Sequence, residues 1–170
     1  MELTSREFWT LIHGLVIGTL FLLAFTGGLA GLWSLRPELV TSAGISDRVR
    51  RLRIGTSLMA LLAWATVMTG TWIVYPWYRE DEADSPRSLL LADPDREDWH
   101  KFGMEWKEHV AWISPMLATA AAFIVLYYGA SLVRNRTLRI VVLVLFVSAF
   151  ATAGVAGLLG ALITKAEPVH

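Results

Sequence analysis

The chain has 170 residues, of which 55% are hydrophobic and 18% charged, with a mean hydropathy of +0.50. That balance is too apolar for an ordinary soluble domain of this length and points to a membrane. Fifteen Lys and Arg balance fifteen Asp and Glu, which leaves no basic excess for nucleic acid; the absence of cysteine excludes disulfides, thiolate metal sites, iron–sulfur clusters and covalent c-type haem attachment within this chain.

Four apolar runs, 8–33, 54–75, 109–132 and 138–163, are long enough to cross a hydrocarbon core of about 30 Å, which takes roughly 20 helical residues. The pattern predicts a single all-α domain over 1–170, with four transmembrane helices in an up-down-up-down bundle. Thr4 and Glu7 have capping-box spacing, which starts the first helix near Ser5. That first run is longer than a signal-peptide core and has neither a positively charged leader nor a clear cleavage site, so it is expected to be retained as a span. The segment 36–53 is basic with Val49 and Leu52 interleaved and reads as a loop lying along an anionic leaflet. The loop 76–108 is acidic and solvated in its first half. In its second half Asp93 precedes Pro94 and further acids, a start signal that extends helix three outward by about two turns. Small residues four apart, Gly14 with Gly18, Gly27 with Gly31, and Ala153, Gly157 and Ala161, are expected where helices approach closely.

Four spans place both termini on the side of the 76–108 loop. The opposite side holds Arg36, Arg48, Arg50, Arg51, Arg53, Arg134, Arg136 and Arg139 against Glu38 and Asp47, whereas the terminal side holds seven basic residues against thirteen acids. The positive-inside rule puts the arginine-rich face in the cytoplasm and both termini outside, as in a bacterial inner-membrane protein. Trp and Tyr at the span edges read as interfacial anchors.

His13 is the ionisable residue well inside a span, where such a group is costly, and His109 stands where the third span enters the apolar layer. Helices one and three are diagonal partners in an up-down bundle, so two imidazoles at one depth suit a b-type haem ligated from both faces. Gly14 and Gly18, with Ala118 and Ala122 below His109, would leave room for the macrocycle, and Arg79, Lys101 and Lys107 would pair with its propionates. Such a protein passes electrons between an exterior donor or acceptor and a membrane quinone. It is then an electron-transfer subunit rather than a stand-alone enzyme, with the lipid bilayer and other membrane or periplasmic redox subunits as partners.

Two other readings compete. All four histidines, His13, His100, His109 and His170, fall on the terminal side. Helical spacing groups His100 with Met104 and Glu108, and Glu105 with Glu108 and His109, as ligands for a non-haem metal. Alternatively the chain holds no cofactor and docks a redox complex through its acidic loop and aromatic belt. The sequence has no P-loop, dinucleotide fingerprint, HExxH or nucleophile elbow, and lacks the buried charges and paired helix breaks of a carrier.

Overall fold

The computed structural model describes residues 3–168, so His170 lies outside the described residues. Among those residues the chain is helical, without a strand. In chain order the helices are α1 (Ser5–Ser34), α2 (Ser42–Tyr78), a short α3 (Pro86–Ala92), α4 (Trp99–Tyr128), a four-residue α5 (Ser131–Arg134) and α6 (Arg136–Ala166). Of these, α1, α2, α4 and α6 are each long and apolar enough to cross a bilayer.

The helix ends follow local chemistry. Thr4 Oγ1 accepts from the Glu7 N–H at 3.2 Å while Glu7 Oε2 accepts from the Thr4 N–H at 2.8 Å, so the expected capping box opens α1. Asn135 opens α6 by accepting from the Leu138 N–H at 3.0 Å. Gly129 closes α4 at φ +48, a conformation that side chains rarely adopt.

Two expectations about loops are corrected. Arg48, Arg50, Arg51 and Arg53 do not lie in a loop along the leaflet, because α2 already begins at Ser42. Hydrophobicity reports where a helix is apolar, not where it ends, and these arginines serve the helix termini. Arg48 Nη1 donates to the Ser34 carbonyl at the end of α1 at 2.5 Å, Arg53 Nη2 donates to the Leu126 carbonyl near the end of α4 at 3.2 Å, and Asp47 pairs with Arg50 and Arg51 at 2.9 Å. The acidic run of the 76–108 segment is exposed at 81–84 as expected, but Ser85 and Leu90 after it are buried. Ser85, 4% exposed, caps α3 by accepting from the Ser88 N–H at 3.3 Å, and Leu90 is fully buried beside Tyr78, Met104 and Ile163. Helix α4 extends N-terminally beyond His109 and begins at Trp99. Asp93 opens a separate turn in which its carbonyl accepts from Arg96 and Glu97.

Helix α1 packs on α2, α2 on α4 and α4 on α6. Helices α1 and α6 meet through Phe21, Phe25, Phe146 and Phe150, whose rings stack with centroids 3.9 to 6.3 Å apart. The close backbone approach falls at glycines other than most of those expected. A Cβ on Gly55 would stand 3.5 Å from the Gly28 backbone and one on Gly31 3.2 Å from Leu52, whereas Gly14, Gly18, Gly27 and Gly157 have nothing within 4 Å. Lipid tails are as apolar as leucine, so this packing and the hydrogen bonds between helices hold the bundle together. Trp64 Nε1 donates to Thr119 Oγ1 at 3.0 Å and Ser114 Oγ to the Ala149 carbonyl at 2.8 Å. Each such bond contributes about 0.6 kcal/mol in a membrane.

Candidate functional site

Helices α1, α2 and α4 each carry a π turn, at Ile12–Val16, Gly70–Val74 and Trp99–Met104. A π turn inserts one residue, frees a carbonyl from the helical ladder and re-aims the side chains around it; such turns concentrate at functional sites. All three contribute to one cleft. It is lined by His13 from α1, by Gly70, Val74, Tyr75 and Tyr78 from α2, by Met104 and Lys107 from α4, and by Gly160, Ile163, Thr164 and Glu167 at the end of α6.

The His13 ring lies against Gly70, where a Cβ would stand 2.8 Å from His13 Cε1, closer than carbon atoms approach, so any larger residue there pushes the ring aside. The single hydroxyl hydrogen of Thr69 goes to the Ala65 carbonyl at 2.7 Å, which leaves the Thr69 oxygen to accept from His13 Nδ1–H at 3.0 Å. The neutral imidazole is thereby held with Nε2 unprotonated, as an acceptor or a metal ligand. Lys107 lies across Gly160, where a Cβ would stand 3.2 Å from Lys107 Cε and 3.4 Å from Nζ. Its amine makes no ion pair or hydrogen bond among the described residues, and the cleft therefore combines a donor with the histidine acceptor.

Aromatic and polar groups back this pair. Tyr78, 3% exposed, shares a hydrogen bond with His100 Nδ1 at 2.9 Å, and its ring stacks on Tyr75 at 6.2 Å. Arg79 Nη1 donates to the Tyr75 hydroxyl at 2.5 Å. Glu108 approaches the same hydroxyl, with Oε1 buried and without a hydrogen-bond partner. Beyond the bundle, Arg96 holds the Asp93 carboxyl below the usual carboxylate range through a 2.6 Å contact, and reaches Glu167 at 2.9 Å and the Ala166 carbonyl at 3.1 Å. That ties the 93–98 turn to the rim of the cleft.

The cleft measures about 40 Å³. Sites for drug-sized ligands span about 300–1,000 Å³ and one water fills about 30 Å³, so the cleft as it stands holds about one water, and neither a quinone ring nor a porphyrin fits it without opening.

Of the residues singled out in the sequence, the structure brings together His13, Lys107 and Met104, with His100 directly behind them. It does not bring His109 to His13. His109 is exposed and donates its Nδ1–H to the Glu105 carbonyl at 2.6 Å; two residues of helix, about 200°, separate it from the direction of Lys107. No haem-binding histidine pair forms among the described residues. Gly14 and Gly18 look onto open space, and Ala118 and Ala122 are buried in the core against their neighbours, so neither pair leaves a slot. Lys101 pairs with Glu97 at 2.5 Å. Glu105 and Glu108 join neither His100 nor His109 in a metal-holding group of three among the described residues. Gly70, Gly160, Tyr75 and Tyr78 were not legible as site residues. Their one signal is a glycine that faces a long side chain on another helix, and that needs the register between helices. No known protein family, curated protein or solved structure matches the chain.

Proposed function

We propose that the chain is a membrane subunit of an electron-transfer assembly and that its His13 cleft receives a quinone-type headgroup. In this reading the bundle runs up-down-up-down, with the termini and the acidic 76–108 segment outside and the arginine-rich face in the cytoplasm of a bacterial inner membrane. The observation that carries the reading is the pairing of His13 Nε2, an acceptor, with the Lys107 amine, a donor, between the apolar walls of Val74, Tyr75 and Ile163. A quinone offers carbonyl acceptors on a flat apolar ring, and its quinol offers hydroxyl donors. Lys107 serves the first and His13 the second, so one site holds both redox states. The electrons pass to or from a partner subunit. A hydrogen bond to a charged donor contributes about 1.5–3 kcal/mol, so loss of Lys107 weakens binding tenfold or more.

A b-type haem is the second reading, supported by the same Nε2, since a histidine that ligates a metal usually donates its other N–H to a neighbour. His13 Nε2 and the Met104 thioether, which line the same cleft, would be the residues to hold its iron. Both readings require the cleft to open beyond its 40 Å³. The test is a titration of the detergent-purified protein with a short-tailed ubiquinone analogue, followed by quenching of its eight tryptophans, with a reduced-minus-oxidised spectrum of the same sample. Saturable binding that falls tenfold or more in His13→Ala and in Lys107→Met, without a haem band, supports the quinone site. Equal binding by wild type and both variants refutes it, and a b-type band lost in His13→Ala selects the second reading.

A further inference from the structure

A second opening lies at the arginine-rich end, between the end of α1 and the start of α6. The two helices close on each other at the stacked phenylalanines Phe25 and Phe146. Beyond that seam they part and leave a crevice of about 800 Å³, a size at which ligand sites are found. Its walls are Leu29, Leu32, Ile140 and Leu143, and its mouth is basic. The Arg36 guanidinium lies 3.3 Å above the Trp33 ring, which steadies it at the rim. Arg139 Nη1 donates to the carbonyls of Leu132 and Val133 at 2.8 and 2.6 Å, and Arg136 is the exposed first residue of α6. None of these three arginines forms an ion pair among the described residues, while Glu38 stands at the same rim as the one acid.

We propose that this crevice binds one anionic phospholipid, its phosphate between Arg36 and Arg136 and an acyl chain along the leucine and isoleucine walls. The charge complementarity is specific to an anion. Three cations against one acid attract a phosphodiester, and arginine matches its oxygens in pairs. A zwitterionic headgroup brings its own ammonium into this cluster and is repelled. The apolar walls add what a free phosphate cannot use, and basic pockets between membrane helices suit such lipids.

Native mass spectrometry of the detergent-solubilised protein tests this, with phosphatidylglycerol or phosphatidylcholine added at equal concentration. One phosphatidylglycerol is retained at least tenfold better than phosphatidylcholine. Arg36→Gln with Arg136→Gln lowers that retention tenfold or more, whereas Arg50→Gln with Arg51→Gln, on the same face but outside the crevice, changes it less than twofold. Ile140→Trp fills the crevice without altering charge and excludes the lipid while the circular dichroism of the helices is kept. Glycerol 3-phosphate at the same concentration does not displace the lipid. Equal retention of the two lipids, an equal loss in the Arg50 and Arg51 pair, displacement by glycerol 3-phosphate, or a dimer that occupies the crevice in place of lipid would each overturn the proposal.

Discussion

Gly70→Ala tests the centre of the molecule with a single methyl group. The added carbon would stand 2.8 Å from His13 Cε1, 3.4 Å from Nε2 and 3.6 Å from Nδ1. Favourable carbon contacts begin near 3.5 Å, so the ring has to retreat by about 0.7 Å. The His13 Nδ1 to Thr69 Oγ1 bond is 3.0 Å long, and a retreat of that size along it breaks the bond. Overpacking costs about 1–3 kcal/mol and the helix regains about 1 kcal/mol by replacing glycine, so the net loss of stability is about 0–2 kcal/mol. Binding is the sharper assay. If the ring leaves its tautomer-fixing partner, the quinone analogue loses at least one hydrogen bond, and its affinity falls about fivefold to thirtyfold for about 1–2 kcal/mol. Gly157→Ala is the control, since nothing lies within 4 Å of its Cβ position, and it leaves affinity unchanged. A Gly70→Ala protein that binds normally and is more stable by the full helix-propensity gain would refute the placement of His13 over Gly70.

Three further outcomes are expected. Gly129→Ala meets both a positive φ and Arg53 Nη2, 2.5 Å from the new Cβ, and should cost about 1–3 kcal/mol, read as a lower unfolding temperature in detergent. Phe146→Ala deletes a fully buried ring from the α1–α6 seam. The unfolded side chain would still sit among lipid tails, so the loss is chiefly the cavity term, about 2–3 kcal/mol rather than the larger cost in water, measured by the same unfolding experiment. The Asp93 carboxyl is held low, first by its bond to Arg96 and then by the Asp95 N–H. A depressed folded value means that this contribution is complete above the unfolded Asp value near 4 and is lost as pH falls through the lowered one. The Asp95 amide, 3.0 Å from Asp93 Oδ1, should therefore lose protection from hydrogen exchange only in strong acid, and in Asp93→Ala, which has no side-chain acceptor, it should lose it at neutral pH. Full protection in that variant would show that the carboxylate does not hold the turn.

How legible each part was depends on the range of the interaction behind it. The Thr4–Glu7 box, the four apolar helices and the extension of α4 N-terminal to His109 rest on neighbours within a few residues, so composition and spacing exposed them. The helical arginines of α2 were misread because their partners, Ser34 and Leu126, lie on other helices. Leu90 was overlooked for the same reason, its burial depending on Tyr78, Met104 and Ile163.

By itself the amino-acid order determined that this protein is an assembly of membrane-length helices with His13 inside one of them, because apolar length and the cost of an ionisable group in lipid are properties of single segments. Tertiary structure decided what His13 faces. Each π turn inserts a residue and rotates the helix beyond it by about 100°, and no linear pattern records that rotation or the register of the neighbouring helix. The rotation and packing bring Lys107, Gly70 and Gly160 to the histidine and leave His109, two residues along the same helix as Lys107, on the outside.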